Sequence, residues 1–182
     1  MSALISLHNT LSDLLNRASD VLLPTLARFV FAAVLLVYFW KSAMTKLGDG
    51  WLGLFLPSDG AYVQIFPRAM EAAGYDSSQL GIFHWLVACT GMWVEFLLPA
   101  LILVGLFSRL AALGMIGFVA VQSMTDVFGH GMRDTKTLGA WFDRLPDSMI
   151  MDQRVLWITV LAIIVIKGAG PLSLDRLLAR AR

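Results

Sequence analysis

The chain has 182 residues, 58% hydrophobic and 15% charged, with a net charge of +1 at pH 7. Soluble domains carry about 25% charged residues, and a near-neutral balance supplies no basic surface for phosphate backbones, so a water-soluble globule and a nucleic-acid partner are both excluded. The length holds one domain, and the single cysteine, Cys89, forms neither an intramolecular disulfide nor a CxxC pair.

The N-terminal stretch predicts an amphipathic helix. Leu4, Leu7, Leu11, Leu14, Leu15, Ala18 and Leu22 fall on one face, and His8, Asn9, Ser12, Asp13, Asn16 and Arg17 on the other. Such a helix is expected to lie on the membrane surface. The first apolar run, Val21 to Trp40, ends in Tyr38, Trp40 and Lys41, which suits the headgroup level. It reads as an uncleaved first span.

In the long connection that follows, Asp59 to Ala73 is a second interfacial helix, with Tyr62, Ile65, Phe66, Ala69 and Met70 toward lipid and Pro67 as its weak point. The second span runs from about Phe83 to Leu106 and the third from Leu110 to Phe128, joined by a turn short enough to force a tight pair. After a second long connection the fourth span, Val155 to about Ile166 and Lys167, stops at Gly168, Gly170 and Pro171. Ser173 then caps a short tail helix with Leu174, Leu177 and Leu178 toward lipid and Arg176, Arg180 and Arg182 toward headgroups.

Each run approaches the ~20 residues a helix needs to cross about 30 Å of hydrocarbon. Backbone groups in lipid must be bonded within the segment, so the spans are helices. The expected fold class is all-α: one polytopic membrane domain over 1–182, with spans at about 21–41, 83–106, 110–128 and 155–168 forming an antiparallel four-helix bundle, and amphipathic helices at both termini and in the first long loop. Gly105, Gly114, Gly117, Ala111 and Ala112 are expected to let helices approach closely. The short loop carries Arg109 and the tail three arginines. This basic bias puts both termini in the cytoplasm and the chain in the cell's inner membrane.

Ionisable residues inside these runs are the candidates for function, because one charge at the centre of a span costs about 2.5–3.5 kcal/mol. Arg28 lies about 10 Å into the first span and Glu95 about 11–12 Å above the same face, at 1.5 Å per residue. Matched depths predict an Arg28–Glu95 ion pair between neighbouring helices, serving either as a clamp or as a ligand or proton site. A second polar group is expected at the opposite end. His84 opens the second span, Gln122, Asp126 and His130 share one face of the third, and Lys41 ends the first. Two histidines and a carboxylate suit hydrogen bonding and proton transfer to a quinone. His84, Asp126 and His130 are also weak candidates for a divalent metal.

The stretch Glu95-Phe-Leu-Leu-Pro-Ala-Leu-Ile-Leu-Val-Gly-Leu-Phe-Ser-Arg109-Leu-Ala-Ala-Leu113, the ending Gly168-Ala-Gly-Pro-Leu-Ser-Leu-Asp175, and Phe39-Trp-Lys-Ser-Ala-Met-Thr-Lys46 after an apolar run holding Arg28 occur in this order. Together they resemble the DoxX family over about Leu22 to Leu178. The resemblance implies a four-helix membrane bundle related to the quinone-reducing subunit of thiosulfate oxidation, with Arg28, Glu95 and Arg109 at the family's recurrent charged positions.

The leading expectation is a DoxX-type inner-membrane subunit that supports quinone-linked or oxidant-protective redox chemistry, with a protein partner or as a homo-oligomer. The rival is a non-catalytic assembly, docking or metal-handling accessory, favoured by the lack of a triad, a phosphate loop or a complete metal signature. A small transporter is a third reading, with no broken-helix repeat to support it.

Overall fold

A computed structural model describes residues 2–181; Arg182, placed among the headgroup-facing arginines above, lies outside them. The described chain is helical, without strands. Four continuous helices are long and apolar enough to cross a membrane: Ala3–Met44, Ile82–Val104, Ser108–Gly129 and Met149–Lys167.

The first comprises α1 (Ser2–Phe31), a π-helical segment (Ala32–Leu36) and α2 (Val37–Met44). The N-terminal amphipathic stretch is thus no separate surface helix. It runs into the span without a break, because nothing between Asp13 and Thr25 ends the helix and Pro24 is accommodated inside it. After α2, the segment expected to be one interfacial helix splits at Phe66 (φ −127°, ψ 56°) into α3 (Asp59–Ile65) and α4 (Pro67–Ala72). Pro67 has no N–H and so opens a helix instead of continuing one. Tyr62 and Met70, expected on lipid, are buried against Ala88 of α5 (Ile82–Val104). Apolar side chains beside a helix bundle gain as much from its flank as from lipid.

α5 ends in a Schellman turn. The Leu106 amide reaches Leu101 O at 3.0 Å and the Gly105 amide reaches Ile102 O at 3.2 Å. Gly105 has φ +72°, and a Cβ there would lie 2.5 Å from the Ser173 side chain. It therefore ends a helix and admits a neighbour, a different role from helix–helix contact. α6 (Ser108–Met124) follows at once and finishes in a π turn, Thr125–Gly129. The fourth membrane-length helix begins six residues before the expected boundary, with a π segment (Met149–Arg154) leading into α7 (Val155–Lys167). α8 (Leu174–Arg180) is capped by Ser173, whose Oγ accepts from the Arg176 amide.

The four long helices close a ring: α1 packs on α7, α7 on α6, α6 on α5, and α5 on α2. The core at its centre takes Phe31, Leu35 and Phe39 from the first helix, Ile102 from α5, Ala111, Ala112, Met115 and Val119 from α6, and Leu161 and Ile164 from α7. Ala111 and Ala112 serve the close packing expected of them. Gly117 does not, because a Cβ there would meet nothing within 4 Å.

Candidate functional site

Glu95 is buried, with 1% of its surface exposed, and its partner is Lys46, not Arg28. Lys46 Nζ donates to Glu95 Oε2 at 2.8 Å and Oε1 at 3.1 Å, and to Ser42 Oγ at 2.9 Å. Ser42 Oγ in turn donates to Glu95 Oε1 at 3.0 Å. Ser42 and Lys46, four residues apart, present one face to α5, and the Trp40 indole fixes that contact by donating to Phe96 O at 3.2 Å. The ammonium thus spends its donors on a closed cluster, the arrangement a buried ion pair needs to offset desolvation.

Arg28 is engaged elsewhere. Its guanidinium donates to Ile102 O at 3.0 Å and Leu103 O at 2.6 Å in the last turn of α5, and to Ala169 O at 2.8 Å and Leu172 O at 2.6 Å after α7. The expected Arg28–Glu95 pair fails because α5 meets α2, not α1, at the level of Glu95, while free carbonyls at a helix C-terminus offer Arg28 a nearer anionic target.

A second pair joins a buried arginine to a partly buried aspartate. Arg154, 2% exposed, places Nη2 2.6 Å from Asp126 Oδ2 and donates from Nη1 to Ser123 Oγ at 2.9 Å. Between the pairs lies a cavity of about 580 Å³ walled by α5 and α6. Its apolar lining includes Leu86, Val87, Val94, Phe118 and Val121, and its polar lining Lys46, Glu95, Gln64, Gln122, Asp126 and His130. Exposed Phe83, Leu86 and Val121 mark its opening on the flank of the ring.

Three of the expected residues therefore converge. Gln122 donates from Nε2 to Tyr38 OH at 3.0 Å, and its buried Oε1 has no hydrogen-bond partner. His130 Nε2 lies 2.9 Å from Gln64 O, to which it donates. Asp126 is the member bound to Arg154.

Two expected residues stay out. Lys41 is exposed one position off the buried stripe, and His84 packs edge-on against Phe66 with ring centroids 4.7 Å apart. Neither lines the cavity. Among the described residues no three of His, Cys, Asp and Glu come together as a metal site, so His84, Asp126 and His130 are not a coordinating set.

No family model matches this chain, and no curated protein or solved structure is similar to it. Function is therefore argued from the site itself.

Lys46 and Arg154 carry no signal in the hydropathy of the sequence. Both lie just beyond the apolar runs, where a charge looks like loop. At the end of the ring nearer the termini, Asp175 accepts from the Phe107 amide at 2.7 Å and the Ser108 amide at 3.0 Å, a cap for α6 supplied from across the turn. Burial would raise the Asp175 carboxyl, but the hydrogen bonds from Ser108 and Phe107 and the charge of Arg28 outweigh it and hold it below its ordinary 3.8. A depressed carboxyl stabilises the fold at pH above its unfolded value, and that contribution is lost as pH falls through the folded one. The unfolding temperature of the wild type in detergent is expected to drop on acidification below about pH 4. Asp175→Asn should be about 1 kcal/mol less stable at pH 7, as for a lost helix cap, with a shallower acid limb. Identical acid limbs in the two proteins would remove Asp175 from this role.

Proposed function

We propose that this chain is a multi-pass inner-membrane protein of DoxX type. In this reading it binds a neutral, lipophilic quinone-type molecule in the flank cavity between α5 and α6, and a protein partner exchanges the electrons. The spans form an antiparallel bundle. Both termini lie in the cytoplasm, because Arg17, Arg109, Lys167, Arg176 and Arg180 gather at their end against Asp13, Asp20 and Asp175, while acids prevail in the first long connection at the other end and the second is balanced.

The observation that carries the reading is the pairing of charges around an apolar cavity that opens on the lipid-facing flank. Glu95 is neutralised by Lys46 and Asp126 by Arg154, so a charged occupant gains nothing. Gln122 Oε1 lines the cavity, buried and without a hydrogen-bond partner, and suits a hydroxyl group of a quinol. Apolar walls with a few placed polar groups are the usual make-up of a small-molecule site.

The test uses the space beside Gly117, which lines the cavity and has room for a side chain. Protein purified in mild detergent is expected to carry extractable quinone. Gly117→Leu should fold normally and carry about tenfold less, the effect of losing roughly 1.4 kcal/mol of binding. A quinone-free wild type, or undiminished quinone in Gly117→Leu, would overturn the assignment. A quinone-free protein that co-purifies with a stoichiometric partner would favour the accessory role.

A further inference from the structure

A second cavity, of about 540 Å³, lies at the end of the ring nearer the termini, between the α5–α6 turn, the end of α7 and the start of α8. Arg109, Lys167 and Arg176 line it from three different elements, together with Asp20 and Asp175. Both acids are already committed. Asp175 caps the Phe107 and Ser108 amides, and Asp20 Oδ1 lies 2.8 Å from Lys167 Nζ.

The cations keep capacity to spare. Arg109 donates from Nη1 to Val165 O and Ile166 O, each at 2.9 Å, which pins the guanidinium and leaves Nε and Nη2 beside Gly168. A Cβ at Gly168 would sit 3.4 Å from Nε and 3.5 Å from Nη2, and φ of +82° keeps that position suited to glycine. The absence of a side chain at Gly168 leaves that edge of the guanidinium uncovered. Arg176 stands exposed at the rim, its amide capped by Ser173. The wholly buried Ser108 also lines the cavity, and its hydroxyl lies beside Asp175 without a hydrogen bond of normal geometry.

We propose that this cavity binds the phosphate of an anionic phospholipid headgroup. Three cations against two committed carboxylates leave a positive surplus, and a pinned guanidinium with a free edge matches phosphate geometry. Basic pockets between spans at the cytoplasmic face recognise anionic lipid headgroups in this way. A lipid is favoured over free phosphate by the apolar rim: Val21, Phe107 and Leu110 line the same cavity and are 49%, 61% and 69% exposed, a seat for acyl chains. The site is separate from the flank cavity and does not rest on the quinone reading.

The test is native mass spectrometry of delipidated protein with dioleoyl phosphatidylglycerol and dioleoyl phosphatidylcholine, which share chains and differ in net charge. Phosphatidylglycerol is expected to be retained about 25-fold better, about fivefold for each of two cations. Arg176→Gln and Lys167→Gln should each erase about fivefold of that preference, as for one surface cation lost, with bound-quinone content unchanged. Arg176 is exposed on a short helix, so its substitution leaves the fold intact, as unfolding temperature will verify. Equal retention of the two lipids, or an unchanged preference in the double variant, overturns the proposal. Complete displacement of phosphatidylglycerol by millimolar inorganic phosphate would assign the cavity to a soluble anion and overturn the lipid.

Discussion

Lys46→Met is expected to lower the stability of this protein by about 3–5 kcal/mol, the usual cost of removing one partner from a buried ion pair. The Glu95 carboxylate would keep only the Ser42 hydroxyl, at 3.0 Å, in surroundings that leave 1% of the residue exposed. Glu95→Gln should cost less, since a neutral amide can still accept from Lys46, and the remaining charge sits near the end of a helix where water is closer. Lys46→Met combined with Glu95→Leu should recover much of the loss, because an apolar pair of similar volume avoids desolvation altogether. The measurement is thermal unfolding in one detergent for the wild type, Lys46→Met, Glu95→Leu and their double, with Glu95→Gln alongside. Additive losses in the double variant would show that the two side chains do not act as a pair. Quinone content read alongside separates scaffold from site: Gly117→Leu should empty the cavity without moving the unfolding temperature, while Lys46→Met should move both.

The four apolar runs were legible because lipid imposes length and internal hydrogen bonding on any segment that crosses it. Their ends were not. Hydropathy falls at Lys41 and again at Arg154, yet helix continues past both: Lys41 is exposed and needs no partner, and Arg154 offsets its desolvation by pairing with Asp126. A phase argument finds what hydropathy misses. Phe31, Leu35 and Phe39 form the buried stripe of the first helix, and continuing it by three or four residues leads to Ser42 and Lys46. Lys41, nearer the aromatic girdle, falls off that stripe and is exposed.

The same rule runs backward from Ile164 through Leu161 and Trp157 to Arg154. Gln122, Asp126 and His130 were found because their spacing is helical; the π turn from Thr125 to Gly129 shifts the phase without moving them off the cavity. The Arg28–Glu95 pair failed for a different reason. Depth along a span fixes height above the membrane face and says nothing about which helices touch at that height. Here the π segment Ala32–Leu36 separates a half that packs on α7 from a half that packs on α5.

Arg28→Met is expected to be the second most damaging change, again about 3–5 kcal/mol. One guanidinium holds four carbonyls in two segments, the last turn of α5 and the Ala169–Leu172 bend, beside the bonds that Asp175 makes to the α5–α6 turn. Hydrogen bonds to a charged group contribute about 1.5–3 kcal/mol each, and losing them together leaves the helix-end carbonyls without their shared donor. They share one donor and are not additive, which sets the estimate well below four times a single bond.

Arg28→Lys should rescue little. An ammonium is a compact donor on a flexible stem and cannot reproduce a planar fork reaching both segments. Amide hydrogen exchange gives the discriminating readout. In Arg28→Met, exchange should rise at Gly105–Ser108 and Gly168–Asp175 together, because Asp175 loses the cation beside it while its own amide bond to Gly105 O, at 2.8 Å, is strained by the loosened turn. A uniform rise over the whole chain would mean that Arg28 supports the bundle globally, and the local clamp would be wrong. Since Arg28 also stands next to the Gly105 Cα, with its Cζ 3.0 Å from where a Cβ would lie, the clamp and the glycine turn are one device. The arginine needs the bare backbone to reach both sets of carbonyls, and the turn needs the arginine to stay closed.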